Sequence, residues 1–269
     1  MFEIIDTPFP PVKTVRLGNR GDFRPCSTGT NIDELNTRTL MEQVEIDHVN
    51  GQKIIASAAH ADRESSIENA WQEAIERISL AAWWALRRPF ITKFSDKAID
   101  EMLYEKHIEQ PENFSIHVGF VESVHPDYYV ACSVLSNDKL YPFVVLGGGC
   151  SKDDAASAAE KALYESIQSW TATTWIDSHQ EVRQKVYWDT SELNDRILNL
   201  SNTTTDFAEK RVSSRDSCLD NLRAHVTVHN DIYITEIIES RGTSHATLEL
   251  ARLAMKDSER ISVFTPHNM

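Results

Sequence analysis

Asn69-Ala70-Trp71-Gln72-Glu73-Ala74-Ile75-Glu76-Arg77 and Lys161-Ala162-Leu163-Tyr164-Glu165-Ser166-Ile167-Gln168 are the two stretches on which the reading of this chain turns. Sliding the sequence along itself until Glu73 falls on Glu165 also lays Asp62 on Asp154, Ser65 on Ser157, Glu68 on Glu160 and Ala70 on Ala162. The match continues with Ile75 on Ile167 and Trp83 on Trp175. Self-similarity at one fixed shift is the mark of a duplicated unit. Both stretches are helical by period: Ile67, Ala70, Trp71, Ala74, Ile75, Ile78 and Ala81-Ala82 recur three and four apart until Arg87-Arg88-Pro89 stops the run.

Each helix is expected to follow a hairpin. Val44, Ile46 and His48 alternate, Asn50-Gly51 suits a two-residue turn, and Lys53 to Ala56 returns as a second strand. In the second unit Ser115 to Ser123 alternates, and Tyr128 to Ser136 pairs with Leu140 to Leu146 across Asn137-Asp138-Lys139. Gly147-Gly148-Gly149 then reads as a tight strand-to-helix turn, before a helix from about Asp153. Further helices are expected near Gln180 to Tyr187, Glu192 to Leu200 and Ala246 to Met255, with a polar loop at Asn202 to Thr205. Strands are expected at His225 to His229 and Ile232 to Ile238. The fold class is α+β: internally duplicated strand-hairpin-helix units with pseudo-twofold symmetry. Residues 1–43 read as an extended arm with at most short strands. Residues 44–269 read as one domain, with a first repeat at about 44–110, a second at about 111–188, and C-terminal strands and a helix at 189–269.

Bulk properties narrow the function classes. At 269 residues and 41% hydrophobic, the chain can bury a sizeable core. A formal net charge of −14, from 41 acidic and 27 basic residues, with no basic stripe, argues against nucleic acid as a partner. Cys26, Cys132, Cys150 and Cys218 lie far apart with no C-x-x-C pair, so reduced thiols, a cytoplasmic setting and no zinc site are expected. No window approaches the ~20 apolar residues of a membrane helix.

Glu73, Glu76 and Arg77 form E-x-x-E-R, and the i, i+3 spacing places both carboxylates on one helix face. Glu165 and Gln168 occupy the equivalent places in the second helix. If the halves face each other, three carboxylates and an amide oxygen surround one space, a hard-oxygen set suited to Mg2+. Glutamates at this spacing are also the ordinary pattern of a solvated face, but Ile75, Ile78, Ile167 and Trp170 surround these with apolar neighbours, where an idle charge is costly. Three other features carry less. Cys150 reads as a small packed residue, His225 and His229 as structural or exposed, and Trp71, Trp83, Trp170 and Trp175 as core rather than as adenine-stacking rings.

The first stretch resembles the S-x-x-x-E-x-x-E-R signature of YcaO-family proteins, and Lys161 to Gln168 resembles the family's R-A-L-x-E-x-x-Q. The resemblance covers roughly Ile54 to Trp175. It implies that Glu73, Glu76 and Glu165 are metal ligands, that Gln168 contacts metal or phosphate, and that Arg77 neutralises phosphate charge, with ATP and Mg2+ as cofactors and no nucleophile from the protein. Asn69 stands where the family has Ser, Lys161 where it has Arg, and Ala58-Ala59-His60 where it has G-K-G; Asn can still donate to a phosphate and Lys keeps the charge without the bidentate fork. No C-terminal R-x-x-x-E is found, which leaves Arg241 as a loose candidate for a late phosphate contact. The implied activity is ATP-dependent activation of peptide backbone amides, forming an azoline, thioamide or amidine in maturation of a ribosomally synthesised peptide. The alternative is a non-catalytic binding or scaffold subunit. Phe264 to Met269 lacks the proline-rich tail of many azoline-forming members and no length is spare for a leader-binding domain, so a leader-binding partner protein is expected beside the precursor peptide. A homo-oligomer is left open.

Overall fold

A computed structural model describes residues 1–18, 23, 25–49, 56–60, 63–85, 89–137, 141–152, 154–178, 227–228, 232–240, 243–250 and 253–254. In chain order they form β1 (Phe2–Asp6), β2 (Lys13–Leu17), β3 (Cys26–Gly29), α1 (Ile32–Val49), β4 (Ala56–His60), α2 (Arg63–Ala85), β5 (Thr92–Lys93), α3 (Asp96–Glu105), β6 (Ser115–Val121), β7 (Tyr129–Asn137), β8 (Tyr141–Ser151) and α4 (Ala155–Ser178). The C-terminal part adds β9 (Thr227–Val228), β10 (Ile232–Ser240), β11 (Thr243–Leu250) and β12 (Leu253–Ala254). The class is α+β, as expected.

The antiparallel sheet β5-β6-β7-β8 is central. Strand alternation sends one set of its side chains to each face. Ala131, Leu135 and Val145 pack with Ala158, Ala162, Leu163, Ile167 and Trp170 of α4. Val130, Cys132, Val134, Val144 and Cys150 pack with Ile75, Leu80 and Trp83 of α2. The sheet is therefore buried on both faces, α4 on one and α2 on the other. The far side of α2 meets β4 through Ala56, Ala58, Ala70 and Ala74, small residues that let a helix lie close to a strand. β4 itself pairs with β11 in the sheet β10-β11-β4.

Phe9, wholly buried in the turn between β1 and β2, plugs the N-terminal sheet into the α4 core by an edge contact with Phe114. Arg16 of β2 pairs with Glu3 and lies 4.2 Å above the ring of Trp175 at the end of α4. α3, capped by Ser95 accepting from the Ala98 N–H, buries Ile99 and Leu103 in the same core.

Three expectations are corrected. Val44, Ile46 and His48 lie in α1 rather than in a strand, and among the described residues β4 pairs with β11 from the far end of the chain. The reason is local: Asn31 accepts from the Asp33 and Glu34 N–H groups and so caps a helix whose body has no Gly or Pro. Further along, Glu42 and Glu45 bond the strand N–H groups of Cys26 and Ala59. Ala246 to Leu250, expected to begin a helix, belong to β11, because pairing with β10 and β4 on its two edges outweighs a weak helical period. Gly147-Gly148-Gly149 is not a turn; it is the interior of β8. The helices expected at 180–187 and 192–200, the loop at 202–205, and His225, His229 and Arg241 fall outside the described residues.

Candidate functional site

The glycine run explains how the two quoted helices come together. β8 is the edge strand of the central sheet. A Cβ on Gly149 would stand 2.0 Å from the Ala158 carbonyl oxygen, and one on Gly147 would stand 2.2 Å from the Ser166 nitrogen, so these glycines let the strand backbone lie against the backbone of α4. Gly148 points the other way, where a Cβ would stand 2.4 Å from Oε1 of Glu76 and 2.6 Å from Cδ1 of Leu80. Three consecutive glycines thus draw α4 and α2 onto opposite sides of one strand.

Two of the expected carboxylates meet at Gly148. Glu165 reaches from α4 and accepts the outward N–H of Gly148 at 2.8 Å. Glu76 reaches from α2 and lies over the same residue. Although Glu76 is only half-buried as a residue, its carboxyl end is walled in, and its pKa is raised well above the ordinary value of 4.5. Desolvation is the largest cause, followed by the charges of Glu165 and then Glu73, with Arg77 and Lys161 opposing. This is a pocket of negative charge held together against its own repulsion.

Around it stand the other sequence-derived residues. Glu73 forms an i, i+4 ion pair with Arg77, so these two hold each other. Lys161 crosses from α4 to donate to Oε1 of Gln72 on α2 at 2.8 Å and to the Cys150 carbonyl of β8 at 3.0 Å. Gln168 is half-buried one turn beyond Glu165, and Asn69 is exposed near the start of α2. Among the described residues, no three His, Cys, Asp or Glu side chains are already drawn together as a metal shell.

Two cysteines face this region. Burial, and after it the charge of Glu165 and of Glu76, pushes the Cys132 thiol far above its ordinary range. Burial and Glu76 push Cys150 up to about 12. Both remain thiols at neutral pH and pack as small apolar groups. The tryptophans are core residues too: Trp83 stacks on Phe90 at 5.3 Å, and Trp170 meets Phe114 edge-on at 4.8 Å.

Reading from the sequence missed Glu68, Gln72 and Tyr128. Glu68 accepts from the Tyr128 hydroxyl at 3.1 Å and from Gln72 Nε2 at 3.1 Å. Glu68, Gln72 and Glu76 recur every four residues, which places them on one face of α2 and was the available signal. Tyr128 joins them only through the fold.

The arrangement fits a metal-bound polyphosphate: hard carboxylate oxygens converge from two helices, and two cations flank them. A search of curated protein sequences returns no match. The YcaO of Methanopyrus kandleri, solved with AMPPCP and Mg2+, superposes with a TM-score of 0.52 at 16% identity, over 74% of this chain and 68% of that one. A chain of the E. coli microcin synthetase McbBCD complex superposes with a TM-score of 0.53 at 15% identity, over 90% of this chain and 65% of that one. The same complex with pro-MccB17 bound gives 0.51 at 14% identity, over 77% and 56%. The present chain therefore spans 65% and 56% of the two synthetase chains it matches, less than two thirds of either. At such identities the likeness shows the fold, and the family model decides the rest. The family model described as YcaO cyclodehydratase, ATP- and Mg2+-binding, matches residues 43–251, and the chain belongs to that family.

Proposed function

We propose that this chain uses ATP and Mg2+ to activate backbone amide oxygens of a ribosomally made precursor peptide, working beside a partner that binds the peptide's leader. The observation that supports this reading is the meeting of Glu76 and Glu165, from two helices, at the Gly148 edge of β8. Burial first, and after it the charges of Glu165 and Glu73, raise the Glu76 pKa; a divalent ion held by Glu76 and Glu165 would relieve that cost. Glu73 would complete the oxygen set by releasing Arg77, whose guanidinium would then face phosphate. Lys161 and Gln168 lie on the α4 face that carries Glu165 and would hold the outer phosphate oxygens. Asn69, exposed on α2, would donate to a phosphate oxygen, and Arg241 would make a late phosphate contact.

When bound, ATP supplies a phosphoryl group that makes a poor amide-oxygen leaving group into a good one, and Mg2+ supplies the charge that holds the phosphates. The protein's part is to position and neutralise. On this reading the attacking group comes from the peptide or from an external donor, and Cys132 and Cys150, buried and held as thiols, take no part in the attack. Azoline, thioamide and amidine products all share this requirement.

One observation favours a second reading, a subunit that keeps the fold for binding or scaffolding: Arg77 and Glu73 are already paired with each other. Calorimetric titration of AMPPCP, with and without Mg2+, separates the two. The catalytic reading expects Mg2+-dependent binding by the wild type that a Glu73→Ala, Glu165→Ala double variant loses. A folded wild type that binds nothing, alone or with its partner, leaves the scaffold.

A further inference from the structure

The cation at the mouth of the site is held by an unbroken chain of hydrogen bonds that starts on a different sheet strand. The Tyr128 hydroxyl, at the entry to β7, donates to Glu68 Oε1 at 3.1 Å; Gln72 Nε2 donates to the same oxygen at 3.1 Å; and Gln72 Oε1 accepts from Lys161 at 2.8 Å. The chain ends where Lys161 donates to the Cys150 carbonyl at 3.0 Å. Each link sets the direction of the next. A carboxylate only accepts, so Glu68 forces the amide of Gln72 to turn its nitrogen towards α2's own first turns and its oxygen towards α4. That oxygen can receive only a donor, which is the ammonium of Lys161.

The bookkeeping at Lys161 gives the chain a purpose. An ammonium has three donors. The two bonds above use two of them, and both acceptors are neutral oxygens, so neither contact cancels the positive charge. Its field still reaches the carboxylate pocket, where it opposes the rise in the Glu76 pKa. The Tyr128 end is firm as well: Ser79 accepts the Val124 N–H at 3.0 Å and so pins the same β6–β7 connection to α2, three turns further along.

We propose that Tyr128, Glu68 and Gln72 are positioning residues for the nucleotide, acting through Lys161, whose remaining donor and uncancelled charge they aim at the phosphates. This rests on the ATP reading above. A flexible lysine left to itself would lose rotamer freedom on binding; a lysine already held in place would not.

The test is a double-mutant cycle on Mg·AMPPCP affinity by calorimetry, with thermal melts to show that each variant is folded. Lys161→Gln is expected to weaken binding roughly tenfold, the scale of a charge-assisted hydrogen bond. Glu68→Gln, which lets the Gln72 amide turn over, is expected to weaken it about fivefold, and Tyr128→Phe about twofold. In the Lys161→Gln background Glu68→Gln should have no further effect, because residues acting through one another are not additive. A merely structural role for Glu68 would add its effect in both backgrounds, and that result overturns the proposal, as would unchanged affinity in Lys161→Gln. Those outcomes leave the ATP reading standing if the Glu73→Ala, Glu165→Ala variant still loses binding. No binding by the folded wild type overturns both.

Discussion

α2 and α4 superpose in sequence, yet they meet the central sheet in opposite ways. α4 lies backbone to backbone on β8 through Gly147 and Gly149, fills its face with Ala158, Ala162, Leu163 and Ile167, and ties the carboxylate of Glu165 to a backbone N–H. α2 also buries an apolar flank, but it turns Glu76 onto Gly148 with a carboxyl group that burial and its neighbours push towards protonation. Close packing fixes one helix, and electrostatic strain is concentrated on the other. The ion site proposed above would use both: a rigid side to define distance, and a side whose charge a bound cation would relieve.

The largest effect is expected from breaking the rigid side. In Gly149→Ala the new methyl would collide with the backbone of Ala158, which cannot swing aside, so α4 must lift from β8; we expect a loss of about 3 kcal/mol or more, read as the midpoint of urea unfolding. Gly148→Ala is the matched change on the other side. Its methyl meets the ends of two side chains, Glu76 and Leu80, which can move. Stability should fall less, and the greater effect, roughly tenfold or more, should appear as weaker Mg·AMPPCP binding as Glu76 is displaced.

A pH series sharpens the contrast without altering the fold. The folded-state pKa of Glu76 is raised above 4.5, so the folded form holds its proton more tightly than the unfolded chain. Stability is then greatest at low pH from this group, and falls as pH rises through 4.5 towards the raised value. The nucleotide-free protein should melt at a lower temperature at pH 7 than Glu76→Gln does, and the variant should lack this part of the pH slope. Opposite behaviour would mean that the carboxyl is already compensated.

The smallest effect belongs to the start of α4. Asp154 accepts from the Ala156 N–H and the Ser157 hydroxyl, and these bonds, the Ser157 hydroxyl first, hold its pKa below 3.8. Asp154→Ala should cost about 1 kcal/mol of stability and leave nucleotide affinity unchanged. Its contribution is present at neutral pH and is lost as pH falls through the lowered pKa.

How much of this was legible follows from the length over which each signal runs. α2 and α4 carry apolar residues three and four apart over six turns, and the β7–β8 pair alternates over long runs, so all were readable. α1 was misread because Val44, Ile46 and His48 alternate over only three positions, while the cap at Asn31 and the acids Asp33 and Glu34 in the first turn pointed to a helix. β11 was misread because its strand character comes from two neighbouring strands distant in sequence. Glycine in series suggests a turn; here it serves the close approach of two helices, which no local pattern announces. The carboxylates Glu76 and Glu165 were legible from spacing. Tyr128, sixty residues from Glu68, was not.

In the function proposed above, Glu76 and Glu165 would hold one divalent ion at the Gly148 edge. Crystals grown with AMPPCP and with Mn2+ in place of Mg2+ would locate that ion by its anomalous scattering. A peak is expected between α2 and α4 within ~2.0–2.3 Å of an oxygen of each glutamate, with phosphate oxygens completing the shell. A nucleotide bound with its metal elsewhere, and the two carboxylates still facing each other unbridged, would contradict it.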